Sequence, residues 1–275
     1  MQSRIEKIKK FSQREDIQSE SFSVYSPTHE QNLLNVPILK PVLIIICSGE
    51  KELESKTKVE TCYTNQFVFI SGSNSIGMRN IPEDNSYYAV LIEFEDDELP
   101  LQESIDNTLN LDFFIGDVDN VLQDSIAQFM EISAIYPEDL LKSRRKEIIQ
   151  LMIAQGFNEL FSIKRTHKLT EMITEIMKRS DLYNINVQRI SDQIGLSEST
   201  LHRKLKEENT SIKEIKDRVR MGSGLHLLQT TDLPVSVIAD KCGYSTHSKF
   251  SLRFKKHFGI TPADLKKTKN LVEPA

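Results

Sequence analysis

Two stretches of this chain, Ile190–Lys206 (ISDQIGLSESTLHRKLK) and Ile238–Lys256 (IADKCGYSTHSKFSLRFKK), repeat one another in outline. Each begins with Ile-x-Asp and reaches a glycine, Gly195 or Gly243, the residue type that takes positive φ and lets a helix end in a sharp turn. A second helix then follows. Counted from the glycine, Leu201 and Leu205 answer to Phe250 and Phe254 with one extra residue in the second turn. Each second helix thus offers an i, i+4 apolar pair to its own core. The remaining faces are basic and hydroxylated: Arg203, Lys204 and Lys206 in the first copy, Lys249, Arg253, Lys255 and Lys256 in the second. Such faces suit phosphates and base edges, and the doublet reads as two helix-turn-helix units.

The charge distribution agrees with that division. From Lys168 to the end there are 19 Lys+Arg against 13 Asp+Glu, a balance of +6, leaving 35−19 = 16 against 40−13 = 27, or −11, for the preceding residues. A basic C-terminal third behind an acidic remainder points to one part that meets a polyanion and another with a different task. At 275 residues and 39% hydrophobic composition the chain has room for two globular domains. Met1 to Arg14 is charged rather than apolar, and the apolar run PVLIIIC (Pro41 to Cys47) is far too short to span a membrane. Three cysteines, Cys47, Cys62 and Cys242, without CxxC spacing argue for neither a disulfide framework nor a zinc site. A cytoplasmic protein without a membrane segment is expected.

The first half alternates β-branched and aromatic segments with polar turns, at Ser21 to Tyr25, Val42 to Cys47, Val59 to Tyr63, Gln66 to Ser71, Ser75 to Arg79 and Tyr87 to Phe94. The pattern predicts an antiparallel β-barrel or sandwich over residues 1–116. Phe67 to Ile70 has no polar face, as in a strand covered on both sides. After Asp117 the period becomes helical, through Val121, Leu122, Ile126, Phe129, Met130 and Ile132. It resumes with Leu140, Leu141, Ile148, Ile149, Met152, Ile153, Phe157, Leu160 and Phe161. Two linker helices over 117–165 are expected. Because Ile148, Ile149, Met152 and Ile153 exceed one narrow stripe, the helix from Glu138 to Ile163 is a candidate dimerisation element.

Residues 166–275 should be helical throughout. Leu169 to Arg179 forms a first helix, Asn186 and Ser197 are N-caps, and Ser211 with Glu214 makes a capping box for a long helix to about Gln229. Pro234 sits in the first turn of the next helix, and Thr261-Pro262 opens the last. Within the long helix, Gly222 and Gly224 each cost about 1 kcal/mol relative to Ala, so they mark either close packing or a hinge. Two reading units joined by one rigid helix can enter successive major grooves about 34 Å apart.

The stretch TDLPVSVIADKCGYSTHSKFSLRFKKHFGITPADL, Thr231 to Leu265, resembles the signature of AraC/XylS-family transcription regulators, and the unit from Val187 is similar to their first helix-turn-helix. PVLIIICSGEKEL, YTNQFVFISG, Pro82 with Tyr87-Tyr88, and SRRKEIIQLMIAQG at Ser143 to Gly156 resemble the family's N-terminal cupin-like barrel and its dimerising helices. The resemblance implies an α+β chain: a sensor barrel, dimerisation helices and an all-α DNA-binding domain. It also implies a homodimer that binds double-stranded DNA, a small-molecule effector in the barrel, and contact with RNA polymerase if the protein activates.

Carried over position by position, the family's DNA-contacting sites fall on Ser199, His202 and Arg203 of the first recognition helix, with Lys206 beside them. On the second they fall on His247, Ser248, Lys249 and Leu252, with Arg253, Lys255 and Lys256 basic. An Arg203 guanidinium can grip guanine O6 and N7, a contact worth about 1–3 kcal/mol of discrimination. Leu252 departs from the family, which commonly has Arg there; Arg253 is one residue on, about 100° round the helix, and is expected on phosphate. The first unit should therefore supply most of the sequence discrimination and the second mostly affinity.

No catalytic constellation is legible. His29 and His167 are the only histidines before the basic domain, no HxH with a following Glu occurs, and neither GxSxG nor a glycine-rich phosphate loop is present. No cofactor or metal is implied. Cys62 is either a buried structural cysteine or a redox sensor. The expected function is a ligand-responsive transcription activator. A ligand-independent repressor or architectural DNA-binding protein is the alternative, and an enzyme fused to a DNA-binding module is a distant third.

Overall fold

The aliphatic run VLIIICS forms the middle strand of a five-stranded sheet in the computed structural model, as its lack of any polar face requires. The described residues are 21–55, 58–70, 75–100, 112–133, 135–157, 169–178 and 186–269. Outside them lie Met1 to Arg14, Ser71, the end of the second linker helix (Leu160, Phe161, Ile163), His167 and Arg179.

The strands are β1 (Ser23–Tyr25), β2 (Gln31–Pro37), β3 (Val42–Ser48), β4 (Glu50–Glu54), β5 (Val59–Cys62), β6 (Gln66–Ile70), β7 (Ser75–Ile81), β8 (Tyr88–Glu93) and β9 (Phe114–Asp117). They build a sheet of order β1-β8-β3-β6-β9 and a second of order β2-β7-β4-β5. Val42 to Ile45 of β3 pair antiparallel with Ile70 to Phe67 of β6, and the other edge of β3 pairs antiparallel with β8. Between β3 and β4 the chain turns at Gly49, φ +79°, where an added Cβ would stand 2.6 Å from the Ile81 carbonyl oxygen. Three strands were not anticipated. In β4, EKELE, only Lys51 and Leu53 are buried and the glutamates are not, so the segment looks like a charged loop. In β2 and β9 the apolar alternation is too short or too mixed to stand out.

Helices α1 (Asn120–Ser133) and α2 (Glu138–Ala154) close one face of the first sheet. Leu122, Ile126, Phe129 and Met130 of α1, and Leu141, Ile148, Ile149 and Met152 of α2, share one core with Leu43, Ile45, Phe67, Phe69 and Val90. This answers the wide apolar surface of the second helix. Ile148, Ile149 and Met152 are buried within their own chain, so that width has an intrachain cause and by itself carries no argument for a dimer. Buried Arg145 of α2 donates from Nε to both Glu98 oxygens, at 2.9 and 3.1 Å, fixing the helix to the turn after β8.

The C-terminal elements are α3 (Leu169–Lys178), α4 (Val187–Ile194), α5 (Glu198–Glu207), α6 (Ile212–Thr230), α7 (Val235–Lys241), α8 (His247–Phe258) and α9 (Pro262–Lys267). By internal contacts the chain divides into two units. One comprises residues 1–32, 40–164 and 268–275, and the other residues 33–39 and 165–267. In the second unit Leu169, Ile173, Met177, Ile190, Leu201, Leu205, Ile212, Ile215 and Val219 form one core, which seats α3, α4 and α5 against the first half of α6. Among the described residues no helix is long and apolar enough to cross a membrane.

Candidate nucleic-acid interface

The doubled sequence takes a doubled geometry. Helix α4 is capped by Asn186, whose side-chain oxygen accepts from the Gln188 N–H at 2.9 Å, and it ends at Gly195 with φ 72°. Around that turn the Gly195 N–H donates to the Asp192 carbonyl at 3.3 Å and the Leu196 N–H to the Ser191 carbonyl at 3.1 Å. In the second unit the Gly243 N–H donates to the Asp240 carbonyl at 2.7 Å and the Tyr244 N–H to the Ala239 carbonyl at 2.9 Å, with Gly243 at φ 74°. Nothing lies within 4 Å of a Cβ added at Gly195, so conformation and not space requires glycine there.

Each recognition helix then starts on a hydroxyl cap. Ser197 Oγ accepts from the Thr200 N–H and Thr246 Oγ1 from the Lys249 N–H, both at 3.3 Å. Helix α5 buries Leu201 and Leu205 and leaves Ser199, His202, Arg203 and Lys206 exposed. Helix α8 buries Phe250, Phe254 and Phe258 and leaves His247, Ser248, Lys249, Leu252, Arg253, Lys255 and Lys256 exposed. Every candidate position therefore lies on an outward face of one of the two helices.

Both candidate arginines have partners within the domain. Arg203 donates to Glu207 Oε1 at 2.7 Å, an i, i+4 pair in which both side chains are about two-thirds exposed, at 65% and 61%. Such a pair is worth at most about 1 kcal/mol in water, so the guanidinium exchanges partners readily. Arg253 is held differently. Its Nε donates to both Asp217 oxygens, at 2.8 and 3.0 Å, and a terminal nitrogen donates to Oδ2 at 2.5 Å, tying α8 to α6. Asp217 went unrecognised in the sequence because nothing local links residues 36 positions apart. Glu207 was findable from its i+4 spacing to Arg203.

Helix α6 runs unbroken for 19 residues from its cap at Ser211. Ser211 Oγ accepts from the Glu214 N–H at 3.2 Å and donates to Glu214 Oε2 at 2.9 Å, so the glutamate returns to the hydroxyl of the cap. Pro234 stands at the N-cap of α7, one residue earlier than the first-turn position expected. An added Cβ at Gly224 would meet the Phe250 ring at 2.8 Å, and one at Gly222 the Leu39 side chain at 2.9 Å, both within this unit. The glycines are there for close packing. Tyr244 adds an edge contact to Phe250 at 5.5 Å, with Arg220 lying 5.3 Å from the Tyr244 ring centre.

A model described as a helix-turn-helix domain matches residues 190–268, the stretch that holds both units. The HTH-type transcriptional activator RhaS of Escherichia coli is 28% identical over 139 residues, which cover 46% of this chain and 48% of RhaS. The chain thus spans about half the length of such relatives. Solved structures of ToxT from Vibrio cholerae share the fold at greater length. An apo point variant superposes with a TM-score of 0.67 at 16% identity, covering 93% of this chain and 99% of that one. A wild-type ToxT described as bound to an unsaturated fatty acid gives 0.62 at 16% identity, covering 95% and 100%. Fold and interface define a helix-turn-helix protein of the double-unit class. Residues 190–268 thus carry the paired helix-turn-helix units that the resemblance to AraC/XylS-family regulators implied.

The sheet unit carries its own polar cluster. Lys51 Nζ, buried, donates to Asn80 Oδ1 at 2.5 Å, and Asn80 Nδ2 donates to Gln31 Oε1 at 3.0 Å. Among the described residues the buried Tyr87 hydroxyl has no hydrogen-bond partner. Burial pushes the Lys51 ammonium down to about 8 and the Cys62 thiol up to about 12. A thiol so protonated and fully buried is a poor redox sensor. Among the described residues no group of His, Cys, Asp and Glu could hold a metal ion.

Proposed function

We propose that this protein is a sequence-specific DNA-binding transcription regulator. Each chain presents two recognition helices to double-stranded DNA. The observation that carries the reading is the pair of exposed basic faces, α5 and α8, on units joined by one continuous 19-residue helix. Such a helix is about 28 Å long, comparable with the rise of one turn of duplex. Ser199, His202, Arg203 and Lys206 address one groove, and His247, Ser248, Lys249, Leu252, Lys255 and Lys256 the next, with phosphate contacts setting register and base contacts setting sequence.

The finer reading is a ligand-responsive activator that works as a homodimer in the cytoplasm, meets RNA polymerase, and has no catalytic role. It draws on the relative named an activator and on the fatty-acid-bound ToxT. The effector is assigned to the sheet unit, where a buried ammonium and an unpaired buried hydroxyl are groups a polar ligand satisfies. Residues 1–116 form the sensor, 117–165 its helical buttress and dimer element, and 166–275 the DNA-binding domain. The test is selection of binding sites by the full chain from a random duplex library. Enrichment of a motif spanning about two helical turns, with affinity falling steeply as salt rises, is expected. Equal binding to scrambled duplex would overturn the proposal.

A further inference from the structure

Leu252 stands exposed on α8, outside the packing that holds this helix to its domain. Helix α8 is held to its domain by Phe250, Phe254 and Phe258, all at 0% exposure. Leu252 lies two residues from the middle one, about 200° round the helix, and is therefore diametrically opposite the core. Its exposure is 74%, in a helix that buries every other large apolar side chain it has. One turn before it are Ser248 and Lys249, and one turn after it Lys255 and Lys256, all exposed. Arg253, the next residue, is turned aside onto Asp217.

A single apolar side chain ringed by lysines calls for a partner that is polyanionic around its rim and apolar at one point. A protein surface with an apolar patch large enough to dock would leave those ammonium groups facing hydrocarbon. The DNA major groove fits: phosphates line both edges, and the thymine C5-methyl is the one apolar group projecting from its floor. We propose that Leu252 is a specificity-determining residue that selects thymine by burying its C5-methyl group. Lys249, Lys255 and Lys256 hold the flanking backbones, and Ser248 lies one turn away on the same face. The second unit then reads sequence by shape and apolar contact rather than by a guanidinium. This inference rests on the DNA-binding reading above.

The test uses the full chain and a duplex it has itself selected from a random library, with each thymine replaced in turn by uracil. That exchange removes one methyl and leaves every hydrogen-bonding group in place. At one position uracil should weaken binding about fourfold, the worth of one buried methyl-sized group, and Leu252→Ala should bind the two duplexes alike. Leu252→Arg should shift the selected base at that position from thymine to guanine. If the wild type binds its selected duplex yet tolerates uracil everywhere, or if Leu252→Ala keeps the penalty, the inference is overturned while the regulator reading stands. If no duplex is selected at all, the regulator reading falls and this inference with it.

Discussion

Arg253 and Asp217 form a three-bond clasp between α8 and α6, with N···O distances of 2.5, 2.8 and 3.0 Å. The carboxylate is the more buried partner, at 19% exposure against 44% for the guanidinium. The fork commits the Nε–H and one of the four terminal N–H donors to the carboxylate, so the aim of the guanidinium is set by Asp217. The clasp reading is that Arg253 serves DNA binding by holding α8 at a fixed angle to α6. Arg253→Ala should weaken all duplexes about equally and cost about 1 kcal/mol of stability after allowance for solvent screening. Asp217→Ala separates the two roles. If Arg253 acts as a clasp, losing Asp217 weakens binding as much as losing Arg253, and the double variant is no worse than either. If it acts on phosphate, freeing it by Asp217→Ala raises affinity instead. A double-mutant cycle on binding constants at fixed salt decides between them.

Arg203 is poised for the opposite behaviour. Its exposed pair with Glu207 is easily broken, and its side chain projects from the outward face of α5. Arg203→Ala is expected to reduce discrimination at one base pair by about 1–3 kcal/mol while leaving affinity for unrelated duplex nearly unchanged. Glu207→Gln removes a competitor for the guanidinium and should tighten specific binding. Uniform loss across all sequences in the Arg203 variant would move this residue from base to backbone.

Gly224 lets α6 approach α8 at the Phe250 ring. Alanine there gains about 1 kcal/mol of helix propensity, but its Cβ would stand 2.8 and 2.9 Å from two ring carbons. The ring is wedged by Tyr244 and Phe254, each 5.5 Å away centre to centre, and cannot move aside cheaply. Overpacking of this kind costs typically 1–3 kcal/mol, so Gly224→Ala should lower the thermal midpoint of the helical unit. The variant should keep its tolerance to spacing between half-sites, since no hinge is lost. A stabilised Gly224→Ala protein would show that the ring has room to give.

The helical unit was the more legible half because its signals are local. Caps, positive-φ glycines and i, i+4 apolar pairs sit within a few residues of what they control, so Asn186, Ser197, Gly195 and the Phe250/Phe254 seam could all be read from the chain. The sheet unit depends on pairing between distant segments, and β4 shows the limit. Its three glutamates flank two inward residues, and only neighbouring strands reveal that Lys51 and Leu53 face a core. The clasp of Arg253 was illegible for the same reason. The exposed positions on α5 and α8 were found, but which of them already had a partner was not.

Lys51 gives a pH-dependent prediction with a defined sign. Its ammonium, buried beside Asn80, Cys62 and Tyr87, is pushed by desolvation from 10.5 down to about 8. Between about pH 8 and 10.5 the unfolded chain holds a proton on this lysine that the folded protein has released. Folding stability from this group therefore rises with pH across that window. Below pH 8 the buried charge exerts its full cost, on the order of 3 kcal/mol at 1.36 kcal/mol per pH unit. Cys62, pushed up to about 12, acts in the opposite direction above its unfolded value near 9, as does Tyr87, also raised by burial. Wild type alone would thus show a blunted profile. Comparison with Lys51→Met cancels those groups: the variant should be more stable than wild type at pH 7, and the gap should narrow as pH rises from 8 to 10. Urea denaturation at intervals of half a pH unit measures it, and a gap constant with pH would mean that the Lys51 ammonium is not desolvated in the folded protein.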